Sequence, residues 1–257
     1  FHFFSFNVIL LLSYNYIMDL KKTFLFLLVS LMHFSCAVMG PANTIPQKAF
    51  VKIYAKISIL ECHKDSKLCK PRTWGSVGSG AIIKTVDQYS YVLTAGHVCN
   101  VDITRDGLEE IKKLKIEISV LTSKNQMYES DIIHSNELKN KQVDLCLLRT
   151  EKLSHHNIQL SMRKPQVGDR LYSMGAPAGI YHPPTVPILE GIYAGDMPDG
   201  LNFLSSLPAV GGSSGSPVFN KDMKLVGVIF ASHPSFNHIS ISTGFEETKK
   251  FLKDHLY

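Results

Sequence analysis

Two cysteines spaced two to four residues apart occur nowhere in this 257-residue chain, and neither does an HExxH run. Those are the common spacings of protein zinc ligands, so no metal is implied. Charge of one sign is not concentrated either. The formal net charge is +5, and the nearest approach to a basic cluster, Lys64, Lys67, Lys70 and Arg72, is interrupted by Asp65. That pattern reads as a solvated face and gives no footprint for nucleic acid. The apolar run from Thr23 to about Met32 falls short of the roughly 20 residues that a membrane span requires. No second such segment follows, which predicts a soluble mature chain without a stable membrane span.

What is present is a composition of 45% hydrophobic and 19% charged residues, which excludes disorder and allows one large all-β domain or two smaller lobes. Phe1 is not an initiator and the first methionine is Met18, so residues 1–17 read as upstream sequence. From Met18 the order is Lys21 and Lys22, an apolar run, then Ser35-Cys36-Ala37 as a small-x-small cleavage site. This is the layout of a secretory signal peptide; residues 1–37 are assigned to it and to the upstream segment, with a mature start near Val38. An uncleaved anchor and acylation at Cys36 fit the same stretch less well. Secretion or periplasmic export follows. Of the five cysteines, Cys62, Cys69, Cys99 and Cys146 would remain, an even number suited to an oxidising compartment. Cys62 with Cys69 is the favoured pair, because a short polar loop separates two extended stretches; Cys99 and Cys146 then pair or stay free.

Strand grammar dominates the pattern. Val51, Ile53, Ala55, Ile57 and Ile59 are apolar at every second position, which predicts a half-buried strand. Gly75-Ser76-Val77-Gly78-Ser79-Gly80 leads into Ala81-Ile82-Ile83, Asp87-Gln88 is a turn candidate, and Tyr91–Thr94 is the next strand. Glu109 to Lys115 is helix-like in composition, whereas Ile116, Ile118 and Val120 alternate; a loop with a helical turn and then a strand is predicted. Val143–Leu148 is a compact apolar strand carrying one acid, Asp144. Residues 151–167 are polar, include His155, His156 and Pro165, and read as a connector. Short strands are predicted over 170–174, 188–194, 201–207, 217–220, 225–231 and 239–241. The tail 244–256 alone has helical periodicity, with Phe245, Thr248, Phe251, Leu252 and Leu256 on one side, and is expected to pack on the second half.

Chemistry gathers at three points. Gly211-Gly212-Ser213-Ser214-Gly215-Ser216-Pro217-Val218 is a glycine-bracketed serine followed by a strand, His97 closes the strand ending Thr94-Ala95-Gly96, and Asp144 is the lone charge of its strand. A seryl hydroxyl is a weak nucleophile. It requires a base, a group orienting that base, and donors for the oxyanion. Each candidate has a plainer reading: a turn, a surface histidine, an ion-paired acid.

Their order, His then Asp then Ser, resembles that of the trypsin/chymotrypsin-like serine proteases, closest to the bacterial secreted, glutamyl-endopeptidase-like and HtrA-like branches. Thr94-Ala95-Gly96-His97, Val143-Asp144-Leu145-Cys146-Leu147-Leu148 and Gly212-Ser213-Ser214-Gly215-Ser216-Pro217 match family blocks. Gly78–Ile83 and Met174-Gly175-Ala176-Pro177-Ala178-Gly179 resemble two further landmarks. The resemblance implies an all-β fold: two antiparallel six-stranded β-barrels with a C-terminal α-helix, the first over 50–150, the connector over 151–167, the second with the helix over 168–257. It implies His97 as general base, Asp144 as its orienting partner, Ser214 as nucleophile, and the amides of Gly212 and Ser214 as oxyanion hole. Protein or peptide substrates are implied, and no cofactor.

The S1 pocket implied by the family is lined by Pro208 and Ala209 and by Val228, Ile229, Phe230, Ala231 and Ser232. Pro208 stands where trypsins carry an acid. Ile229 aligns with the histidine of glutamyl endopeptidases and Ala209 with their pocket threonine. Small or apolar P1 residues are the resulting expectation. No Ile-Val-Gly-Gly terminus occurs near residue 50, and the sequence stops just after the tail helix, without a PDZ domain. A catalytically silent homologue acting as a protein-binding module is the competing reading, although no triad position is substituted.

Overall fold

A computed structural model describes residues 44–63, 69–100, 111–136, 143–153 and 157–257, which belong to a single compact unit beginning at Thr44. The signal segment 1–37, Lys64, Asp65, Lys67, His155 and His156 lie outside the described residues.

Six strands, β1 (Phe50–Cys62), β2 (Arg72–Val86), β3 (Tyr89–Thr94), β4 (Ile111–Thr122), β5 (Met127–Ser135) and β6 (Cys146–Glu151), close into an antiparallel barrel in the order β1-β2-β3-β6-β5-β4. Six more, β7 (Arg170–Met174), β8 (Ile188–Asp196), β9 (Asn202–Ser205), β10 (Pro217–Phe219), β11 (Leu225–His233) and β12 (Phe236–Thr243), close a second barrel in the order β7-β8-β9-β12-β11-β10. Two helices complete the set: α1 (Gly96–Cys99), a single turn after β3, and α2 (Phe245–Leu256) at the C-terminus. Closure leaves neither sheet with a free edge. The fold is the chymotrypsin-like one that the sequence motifs implied.

Strand β1 explains how the lobes meet. Its odd residues Val51, Ile53, Ala55, Ile57 and Ile59 are buried, as period two predicts. Its opposite face is also covered at the start, where Phe50 packs edge-on against Tyr181 at 5.0 Å and Lys52 Nζ donates to Gly179 O at 2.7 Å. The second lobe supplies that cover. One apolar cluster accordingly runs through both barrels, from Ile53 and Leu147 to Met174, Phe219 and Val228, while a smaller one of Leu171, Phe203, Leu207, Ala209, Val218 and Ile229 fills the second barrel.

Two expectations require correction. Ile111 to Lys115 are strand, not helical turn: Lys113 and Leu114 pair with Glu61 and Ile59 of β1, and the ladder's hydrogen bonds outweigh a helix-favouring local composition. Helix α2 does not rest on the second half alone. Phe245 enters the second barrel's core, whereas Phe251 and Leu252 join the cluster shared by both lobes. Its last turn reaches the first barrel, where His255 stacks on His134 of β5 at 3.7 Å and Lys84 Nζ of β2 donates to Leu256 O.

Candidate active site

Strand β3 ends at Thr94, and the next turn of chain presents His97. Asp144, just before β6, is 1% exposed and grips that histidine twice: Oδ1 accepts the His97 backbone N–H at 2.7 Å and Oδ2 lies 2.6 Å from ring Nδ1. A carboxylate can only accept, so Nδ1 carries the proton and the neutral ring keeps its lone pair on Nε2. The imidazole itself is 43% exposed. A buried carboxylate is costly unless its oxygens are satisfied, and here one residue satisfies both. Gly96 makes the grip possible, because a Cβ there would stand 2.1 Å from Asn136 O and 2.7 Å from Asp144 Oδ1.

Two residues beyond each member of that pair, Cys99 and Cys146 form a disulfide. Cys62 and Cys69 form the other, the pairing favoured from the loop between two extended stretches, now identified as β1 and β2. Both turns that carry the histidine and the aspartate are thus strapped covalently as well as by hydrogen bonds.

Ser214 lies half-buried in a tight loop. Ser213 N donates to Val210 O at 2.9 Å, Ser216 N to Ser213 O at 3.0 Å and Gly215 N to Ile229 O at 2.7 Å. Gly212 and Gly215 take φ of 91° and 89°, a region that side chains other than glycine rarely enter. The loop is held against the histidine's barrel. Ser214 O accepts Ser79 N–H at 2.7 Å, and Thr94 Oγ1 donates to Ser79 O at 2.8 Å. A Cβ on Gly78 would stand 2.9 Å from Val98 Cγ2 and 3.2 Å from Ser214 O, so the turn bearing His97 and the Ser214 loop both close on this one glycine. Among the described residues no hydrogen bond joins Ser214 Oγ to His97, and no protein acceptor takes the amides of Gly212 or Ser214.

Beside the loop, Ala209 and Ile229 share the second barrel's core, whereas Val228, the next residue of β11, faces the cluster between the barrels. Pro208, Phe230, Ala231 and Ser232 are half-buried. Sequence reasoning missed what faces Ile229: Ser242 is its cross-strand partner, and Ser240 and Ser242 are fully buried while Ile239 and Ile241 are half-exposed. Ser240 Oγ lies 2.9 Å from Ser205 Oγ, and Ser242 Oγ is buried without a partner among the described residues. The alternation of Ile239 to Ser242 was visible in the sequence, but its usual phase would bury the isoleucines.

Two closed barrels with a histidine–aspartate pair and a glycine-bracketed serine define the class of chymotrypsin-like proteins. A family model described as a trypsin-like peptidase domain matches residues 78–228, more than half of the chain. The chain therefore belongs to the trypsin-like peptidase family. No curated protein matches it significantly. Among solved structures it is similar to the serine endoprotease from Yersinia pestis, at 19% identity and TM-score 0.57, covering 82% of this chain and 63% of that one. It is also similar to a protease from M. tuberculosis in its active form, at 14% identity and TM-score 0.58, covering 84% of this chain and 91% of that one. The chain thus spans less than two thirds of the Yersinia protein, and likeness at such identities concerns the fold.

Proposed function

We propose that this protein is a serine endopeptidase that hydrolyses protein substrates through an acyl-enzyme, with Ser214 as nucleophile, His97 as general base and Asp144 as its orienting partner. The observation that carries this reading is the double grip of Asp144 on His97, which leaves Nδ1 with the proton and Nε2 with the lone pair a general base needs. Ser214 Oγ bonds to the scissile carbonyl carbon as its proton passes to His97 Nε2. The carbonyl oxygen becomes an oxyanion facing the amides of Gly212 and Ser214. The carbon–nitrogen bond breaks as the imidazolium returns its proton to the leaving amine, and water repeats the sequence on the ester. Asp144 stabilises the imidazolium between these steps.

The P1 preference is for small or apolar residues. Pro208, Ala209 and the strand from Val228 to Ser232 include no charged side chain to serve as the counter-charge that a charged P1 residue would need. Two disulfides support a working compartment outside the reducing cytosol, in keeping with export.

A fluorophosphonate probe and a peptide library test the reading together. The wild-type protein should label at Ser214 and cleave after small or apolar residues, and Ser214→Ala should lose labelling and about 10⁶-fold in kcat while keeping its thermal midpoint. Failure of the wild type to label rejects the enzyme and favours the binding-module reading, and a profile dominated by Glu, Arg or Lys rejects the pocket assignment.

A further inference from the structure

Ser79 makes four hydrogen bonds and is wholly buried. Its amide donates to Ser214 O at 2.7 Å, its hydroxyl donates to Gly212 O at 2.8 Å, the same Oγ accepts Ala176 N–H at 2.9 Å, and its carbonyl accepts Thr94 Oγ1 at 2.8 Å. Both residues whose carbonyls Ser79 holds have amides without a protein acceptor among the described residues, which in this loop is otherwise true only of the exposed Gly211. That coincidence has a geometric meaning. In a trans peptide the carbonyl of one residue and the N–H of the next share a plane, so the two Ser79 contacts fix the planes that carry the Ser213 and Gly215 N–H groups and act on the Gly212 and Ser214 donors through the α-carbons of those residues.

Gly212 lies between two such planes. The carbonyl of the Gly211–Gly212 peptide accepts Ala178 N–H at 2.7 Å, which turns the Gly212 N–H away from the segment 176–179. The carbonyl of the Gly212–Ser213 peptide accepts Ser79 Oγ–H, and its N–H is held by Val210 O. The first plane is pinned from the second barrel and the second from both, and glycine's positive φ of 91° is one of the two torsions that set the angle between them. A hydroxyl has a single proton. Because Ser79 Oγ accepts from Ala176, that proton is left to point at Gly212 O, so the hydroxyl also ties the turn carrying Ala178 to the loop that Ala178 pins.

We propose that Ser79 is a positioning residue of the oxyanion hole: its hydroxyl fixes the Gly212–Ser213 peptide and its amide fixes Ser214 O, so that the Gly212 and Ser214 amides stay aimed at one point through the reaction. This rests on the endopeptidase reading above. Preorganised donors accelerate acyl transfer because they need no reorientation when charge develops on the substrate oxygen. Without the hydroxyl, the Gly212–Ser213 peptide keeps only its contact with Val210 O and the 176–179 turn loses one of its ties to the loop, so the oxyanion loses the aim of a donor rather than the donor itself.

The test compares Ser79→Ala and Ser79→Cys with the wild type, each assayed per active site by fluorophosphonate titration. Removing an oxyanion donor outright costs about 10²–10³ in kcat, so loss of its aim should cost about 10- to 100-fold in Ser79→Ala with KM within threefold. Affinity for a peptidyl aldehyde, which forms a hemiacetal oxyanion on Ser214, should fall in step with kcat/KM, while affinity for the cleaved product peptide stays unchanged. Ser79→Cys keeps the shape with a weaker donor and should fall between the two. A Ser79→Ala or Ser79→Cys enzyme with wild-type kcat per titrated site and wild-type aldehyde affinity, whatever its melting temperature, overturns the proposal. A wild type that neither labels nor hydrolyses overturns instead the reading of the site on which it rests.

Discussion

Gly212 concentrates the demands of the site on one atom that is absent. A Cβ there would stand 2.4 Å from Ala176 O and 3.0 Å from Gly179 N, and the backbone sits at φ 91°. Gly212→Ala is therefore expected to swing the peptide out of position, at a cost of about 1–3 kcal/mol in stability and at least about 10²-fold in kcat. Thermal melts and titrated kinetics measure the two separately, and an alanine variant with wild-type turnover would contradict the assignment of this amide. At this scale His97, Asp144 and Ser214 were legible because each stands in a short, recognisable run. Ser79 was legible only as part of a glycine-rich stretch. Its importance comes from partners 97 and 133 residues away in sequence, and no local pattern encodes such contacts.

Helix α2 was visible from its 3.6-residue period, but its docking site was not. The periodic face names Phe245, Thr248, Phe251, Leu252 and Leu256, of which the first four are buried and Leu256 half-buried; what receives them depends on how the barrels come together. The result is a helix whose last turn lies on the first barrel, with His255 stacked on His134, whose Nε2 in turn contacts Asn136 Oδ1 at 2.7 Å. Burial, and then the neighbouring His134, holds the His255 pKa below its ordinary value, with Asp254 opposing; Glu247 and Lys250 line the adjoining cavity of about 370 Å³. A histidine that resists protonation when folded leaves stability intact above its unfolded pKa, and stability is lost as pH falls below that value toward the folded one. Acidification from about pH 7 to about pH 5 should thus lower the melting temperature of the wild type more than that of His255→Gln. Parallel losses in the two proteins would remove His255 from the cause.

Over the whole molecule, covalent and noncovalent links converge on the same two turns. Cys99–Cys146 closes a sequence separation of 47, against 7 for Cys62–Cys69, which on the chain-entropy model amounts to about 4 and about 2.4 kcal/mol respectively. Replacing Cys99 and Cys146 by alanine should lower unfolding free energy by more than replacing Cys62 and Cys69, and should also lower kcat, since the lost strap adjoins His97 and Asp144. Denaturant unfolding beside titrated kinetics reads both effects, and equal losses from the two pairs would refute the ranking. The sequence by itself determined the strands, through period-two burial such as that of Val51 to Ile59, and singled out His97, Asp144 and Ser214, through short local runs. Tertiary structure alone decided that Lys113 and Leu114 extend a ladder, that serines rather than isoleucines of β12 face inward beside Ile229, and that one serine of β2 holds the loop of Ser214. These outcomes depend on which surfaces meet when two closed barrels pack. That choice is set by contacts distant in sequence, where a residue's neighbours in space are not its neighbours in the chain.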